Sequence, residues 1–228
     1  MKQLNLRKTL LATLLIGSAS LAAAAATSTL DLTVGGTISP APCTLDFSAG
    51  NTVDFGETKA SLLKAGAYYD LGTKDTTATL TCSAAIKVGL RSVDDKASSA
   101  LKDAAMLTAL KTDAKTPTAT DVYGLGTQGT TSIGAYIMYF SDAATFDGTK
   151  MAQNLYSTNG GTSWSASPNW FTPSTVTFSA ASSGLVPAAA RVMTYPIRIH
   201  AALNKREALN LVNTINLDGS ATFEMVYL

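Results

Sequence analysis

The sequence predicts an all-β fold of the sandwich or barrel kind. Three observations predict it. Short runs rich in Thr, Val, Ile, Tyr and Phe recur at residues 52–55, 77–82, 86–90, 133–140, 175–179, 192–203, 212–217 and 221–227. Gly, Asn, Asp, Ser and Pro punctuate the gaps, which is the turn chemistry that joins short strands. Helical patterns do not alternate with these runs, which argues against a doubly wound parallel sheet.

The chain opens with a basic stretch (Met1, Lys2, Arg7, Lys8), an apolar run over residues 9–21, and the small residues 22–26. That order reads as a secretory signal peptide over residues 1–26, cut after Ala26. The apolar run is shorter than the roughly 20 residues that span a bilayer; an uncleaved anchor is the alternative. Next comes a segment with one apolar face: Leu30, Leu32, Val34, Gly36 and Ile38 occupy successive even positions. The far end mirrors it, with Ile215, Leu217, Gly219, Ala221, Phe223, Met225 and Tyr227 at successive odd positions. Side chains alternate across a strand, so each terminal segment presents one apolar edge that needs a groove to receive it.

Between these ends lie two cysteines, Cys43 and Cys82. An even count in an exported chain implies a disulfide. The apolar spacing over residues 98–111 (Leu101, Ala104, Ala105, Leu107, Leu110) is compatible with one short amphipathic helix. Residues 142–173 are rich in Ser, Asn and Gly and contain Trp164 and Trp170. Such an insertion reads as surface loop or added hairpin, open either to ligand recognition or to plain surface decoration. Pro196 lies inside the strand-like run 192–203, which predicts that the run is an edge strand or carries a bulge. His200, alternating with Ile197 and Ile199, is expected on the solvent side beside Arg198.

Charge and chemistry narrow the function. Removing Lys2, Arg7 and Lys8 takes three positive charges from the formal +1 and leaves −2. Such a weakly acidic domain has no electrostatic footprint for nucleic acid. With one histidine and no close Cys or His spacing, no zinc or other metal site is expected. No Ser stands in a nucleophile-elbow motif, Asp94-Asp95 reads as a turn, and Gly124-Leu125-Gly126 lacks the rest of a dinucleotide fingerprint. No cofactor or catalytic residue is expected. A secreted hydrolase on a β-sandwich therefore lacks its constellation.

The two ends carry a resemblance. The run Leu30-Asp31-Leu32-Thr33-Val34-Gly35-Gly36-Thr37-Ile38-Ser39-Pro40-Ala41-Pro42-Cys43 resembles the donor arm of chaperone–usher pilins, followed by that family's first disulfide cysteine. The family's arm offers alternate residues to five pockets, with glycine at the fourth. Leu30, Leu32, Val34, Gly36 and Ile38 match those places in order. The C-terminal strand, with Ala221, Phe223, Met225 and the penultimate Tyr227, is similar to the family's closing strand. Gly35 to Cys43, Gly124-Leu125-Gly126 and Ile133-Gly134-Ala135-Tyr136 are similar to the β-type fimbrial subunits. Two features depart from the pattern: the chain is longer than a common pilin, and Gly219 stands nearer the end than the family's glycine often does.

The resemblance implies an immunoglobulin-like sandwich lacking its final strand, with a donor extension over residues 27–40 and the pilin domain over 41–228. It implies a groove walled by Ala221, Phe223, Met225 and Tyr227, and a polymer built by lending the arm to a neighbouring subunit. The implied partners are a periplasmic pilus chaperone, an outer-membrane usher and successive fimbrial subunits at the cell surface. An alternative within this class is a minor or tip-proximal adhesin that binds a host receptor through residues 142–173, with Trp164 and Trp170 as its contacts.

Overall fold

The computed structural model describes residues 33–37, 42–112, 116–174 and 176–228. The chain divides into two units, Met1–Ser39 and Pro40–Leu228. The expected signal peptide, with Leu30, Leu32 and Ile38, lies outside the described residues. In the first unit, residues 33–37 carry no regular secondary structure and all are exposed.

The second unit is built of antiparallel strands. β1 (Cys43–Phe47) pairs with β2 (Tyr69–Ile86), with Cys43 directly opposite Cys82. Those two residues form the disulfide expected from their count. β2 alternates as a half-buried strand should: Thr76, Ala78, Leu80 and Cys82 are buried, and the residues between them are not. After Lys87 the chain runs on as β3 (Val88–Asp94) in the opposite sheet, so one long segment turns the corner between sheets.

The remaining strands are β4 (Val122–Gly124), β5 (Thr127–Gln128), β6 (Thr131–Ser132), β7 (Gly134–Phe140), β8 (Thr145–Phe146), β9 (Thr149–Lys150), β10 (Gln153–Ser157), β11 (Ser165–Ala166), β12 (Thr177–Ala181), β13 (Ala190–Leu203) and β14 (Ala221–Tyr227). One sheet has the order β1-β2-β13-β7-β4, with the β8–β9 hairpin beside β13. The other has the order β11-β10-β12-β3-β14. They enclose a shared core in which Leu80, Met138 and Ile197 from the first sheet meet Leu90, Phe178 and Ala180 from the second. The arrangement is consistent with a β-sandwich.

A short helix, α1 (Ala104–Ala109), covers the outer face of the first sheet. Asp103 caps it by accepting from the N–H groups of Ala105 and Met106 at 3.0 and 3.2 Å. The Tyr68 hydroxyl donates to the same carboxylate. Burial first, and that carboxylate second, push the Tyr68 phenol up to about 12. The helix is shorter than the sequence pattern and buries Met106 and Leu110, while Ala104 and Ala105 face solvent.

Other expectations change in whole or in part. Residues 142–173 hold the added hairpins β8–β9 and β10–β11, but β10 also lies beside β12 inside the second sheet, and Leu155 is fully buried. The polar Asn154 is tolerated there because its Oδ1 accepts from Ala144 N–H at 2.9 Å and its Nδ2 donates to Asp142 O at 3.2 Å. Pro196 stands in central strand β13, in register opposite Thr77. Its missing N–H falls where β13 exchanges β8 for β7 as neighbour, and its carbonyl accepts from Ser141 N–H. The run is not an edge strand but does carry the expected irregularity, at Ala201/Ala202, with a further register shift at Ala190/Val192. His200 is buried, not exposed, because this sheet face is covered; its Nε2 lies 2.7 Å from Asp70 Oδ1. Finally, residues 52–55 and 212–217 form no strands, although their alternation is strand-like.

The disulfide closes a separation of 39 residues, for which chain entropy gives roughly 4 kcal/mol. Replacing Cys43 and Cys82 together by serine is expected to lower unfolding stability by about that amount, read as a fall in the denaturant midpoint. An unchanged midpoint would show that the cross-link does not constrain the unfolded chain.

Candidate strand-acceptor groove

β14 is the edge of the second sheet. Its register with β3 runs from Ala221 opposite Asp94 to Tyr227 opposite Val88. Among the described residues no strand pairs with its other side. The strand is held to β3 from its polar face. Arg91 Nη2 meets Glu224 Oε2 at 2.6 Å. Ser220 and Thr222 donate their hydroxyls to Asp95 at 2.8 and 3.1 Å. Beneath, Ser92 and the Tyr123 hydroxyl lie 2.6 Å apart. Asp94 accepts from the N–H groups of Lys96 and Gly124, and burial raises its carboxyl above the ordinary value.

The apolar face of β14 is only partly covered. Ala221, Phe223 and Met225 pack against the core yet stay half-buried, and Tyr227 is 45% exposed. Across from them β1 is the edge of the first sheet, and its Leu45 and Phe47 are half-buried too. The rings of Phe47 and Phe223 meet edge-to-face at 5.1 Å, and Phe171 lies under Phe223 at 5.8 Å.

Beside this contact lies a cavity of about 460 Å³. Leu45, Phe47, Val53 and Phe55 wall it on one side, and Leu217, Ala221 and Phe223 on the other. Its lining also includes Tyr136 and Met138 of β7 and Ile197 and Ile199 of β13. A second cavity of about 760 Å³ shares Val53, Phe55 and Leu217 with the first and runs on past Leu71, Ile133 and Leu203. The first cavity lies between the edge strands β1 and β14, and the second adjoins it through these shared residues.

Gly219 lines the first cavity, and Gly124 packs in β4 outside the lining. A Cβ on Gly124 would stand 2.2 Å from Lys96 O, so this glycine serves close packing in β4 rather than a phosphate loop. A Cβ on Gly219 would meet Leu125 Cδ2 at 3.0 Å and Tyr136 Cε1 at 3.1 Å, where the chain crosses toward β14.

Of the residues singled out in the sequence, Cys43 and Cys82 are joined next to the groove wall, and Ala221, Phe223 and Met225 line or flank it. Val34 and Gly36 are described and exposed, Val34 to 90%. Trp164 is half-buried, and its Nε1 donates to Gly161 O at 3.0 Å. Trp170 is 4% exposed and packs edge-to-face on Tyr139, so its ring is core rather than a ligand contact. Missed in the sequence were the opposite wall and the floor. The odd-numbered apolar spacing Cys43, Leu45, Phe47 could have revealed that wall. Among the described residues no group of three His, Cys, Asp or Glu side chains could hold a metal ion. No described helix is long and apolar enough to cross a membrane.

The chain is similar over most of its length to Protein GltF of Escherichia coli (strain K12). Identity is 30% over 226 aligned residues, covering 87% of this chain and 88% of GltF. The chain belongs to the GltF family. A family profile described as a protein of unknown function, DUF1120, also matches residues 32–137. In this GltF-family chain that match takes in the disulfide, both strands it joins and Tyr136 of the groove floor.

Phe223→Ala is expected to lower stability by about 1–3 kcal/mol, below the figure for a fully buried ring because Phe223 is half-exposed. Val34→Ala is expected to stay within about 0.5 kcal/mol, since its side chain is in solvent. Denaturant unfolding of both variants checks the contrast; equal losses would contradict the burial described.

Proposed function

We propose that this protein is a structural subunit of a bacterial surface fimbria, polymerising when each copy lends its N-terminal arm to the groove of the next. The observation that carries this reading is the groove itself: an apolar trough between two sheet edges, bordered by a strand with one unpaired side. Such an edge exposes both main-chain hydrogen-bonding groups and core side chains. An added strand supplies bonds to the first and alternate side chains to the second. The alternating residues Leu30, Leu32, Val34, Gly36 and Ile38 have the period that such a site takes.

Burying Leu30, Leu32, Val34 and Ile38 yields about 6–12 kcal/mol before ordering costs, at roughly 1.5–3 kcal/mol each. Arm and groove are unlike parts of the subunit, so their contact is head-to-tail and propagates as a fibre. On this reading residues 1–26 direct export, the disulfide forms in the periplasm, and a periplasmic chaperone shields the groove until an outer-membrane usher exchanges it for an arm. The role is structural and needs no cofactor.

The alternative of a minor or tip adhesin reading a host receptor through residues 142–173 draws less support. That segment contributes β10 to the sheet interior and Trp170 to the core.

Deleting residues 27–39 is expected to leave a folded subunit that no longer forms polymer, measured by size-exclusion chromatography and electron microscopy. Normal filaments from that deletion would overturn the donor role. Gly36→Leu is expected to overpack the groove by about 1–3 kcal/mol and to slow or block polymerisation.

A further inference from the structure

The sequence holds six methionines, and removal of residues 1–26 takes Met1 and leaves Met106, Met138, Met151, Met193 and Met225. The first four of these are buried, none more than 6% exposed. Met225 alone is half-buried, on the edge strand β14. It stands in register opposite Leu90, which is fully buried, and it packs against the shared core. Among the described residues no strand pairs with the other side of β14. Met225 is thus in contact with the core and partly open to solvent. Cys43 and Cys82 are joined to each other, so no thiol competes for an oxidant.

We propose that Met225 is an oxidation site, at which a peroxide converts the thioether to a sulfoxide and loosens β14. With hydrogen peroxide, the Met225 sulfur attacks one oxygen. An S–O bond forms as the O–O bond breaks, and the second oxygen leaves as water with the proton released from the first. Sulfur gives up two electrons, and the peroxide takes them. Exposure sets how readily the oxidant arrives, and contact with the core sets the consequence. A methionine in full solvent would be oxidised with little effect, and a fully buried one is slow to react. Met225 is both reachable and packed. Its sulfoxide is polar and chiral, and it disrupts the apolar contacts that the flexible thioether makes. Ala221, Phe223 and Met225 are the β14 residues that pack against the core, so the change acts on one of the strand's anchors. The modification needs no second copy of the chain. It is also reversible, because sulfoxide reductases restore the thioether.

The test treats the mature chain, beginning at Thr27, with limiting hydrogen peroxide. It follows intact mass, peptide mapping, amide exchange and the denaturant midpoint. One added oxygen is expected on the peptide containing Met225 before any of the four buried methionines reacts. The oxidised chain should have a lower midpoint, and the amides bonded between β14 and β3 should exchange roughly 5–30-fold faster. Methionine sulfoxide reductase should return mass, midpoint and exchange to their starting values, a readout that needs no substitution. Met225→Leu, compared with itself before and after the same dose, should gain no early oxygen and show no shift. Oxygen spread evenly over the five methionines, or absent from Met225, would overturn the site. A sulfoxide at Met225 that leaves midpoint and exchange unchanged would overturn the loosening of β14. So would an equal fall in the midpoint of peroxide-treated Met225→Leu.

Discussion

The unpaired edge of β14 governs the rest of the molecule. A sheet edge in water is tolerable when it is short, charged or covered. β14 is seven residues long, and half of its side chains belong to the core. The chain stabilises what it can from the other side. Arg91–Glu224, the Asp95 bonds to Ser220 and Thr222, and Lys96–Asp218 tie the strand and its approach to β3 and the turn beyond. These partly exposed contacts fix register more than they add stability. Among the described residues the apolar face remains partly open, with Ala221, Phe223 and Met225 half-buried. Phe47 and Phe223 close one part of the opening by touching across it, and the groove persists beyond them.

The disulfide acts at the same place. Cys43 and Cys82 are direct partners across β1 and β2, so the cross-link pins the edge strand of the first sheet at its start. Among the described residues β1 pairs on one side only, and Phe47 at its end forms part of the groove wall. A mobile β1 would blur the groove; a pinned one keeps its two lips at a fixed separation. The helix α1 and Trp170 do parallel work on the outside of the first sheet, which keeps β7 and β13 buried on both faces and their inner residues in place as floor.

Much of this was legible in the sequence, for local reasons. β14 follows its odd-numbered apolar pattern residue for residue, β7 falls inside a run of β-branched and aromatic residues, and β13 extends such a run by two residues at its start. The disulfide followed from a count of two. What escaped was set by neighbours rather than by local pattern. β10 is written Gln-Asn-Leu-Tyr-Ser, and its burial depends on Asn154 finding Ala144 and Asp142, contacts no periodicity encodes. His200 alternates away from Ile199 as its position requires, but the outer face it reaches is covered, so an expected exposed side chain is buried beside Asp70. Trp170 sits in a polar stretch open to recognition or to plain surface decoration, and its ring packs into the core. Residues 52–55 and 212–217 carry the strand pattern, yet among the described residues no strand pairs with either, and pairing is what a local pattern cannot encode.

The most direct test places a photoreactive benzophenone side chain at position 34 in one tagged population of the mature chain and mixes it with a differently tagged wild-type population. The account predicts cross-links between the two tags, mapping to peptides that contain Phe47, Phe55, Leu217 or Phe223. Cross-links confined to single molecules, or between molecules at sites away from the groove, would contradict it.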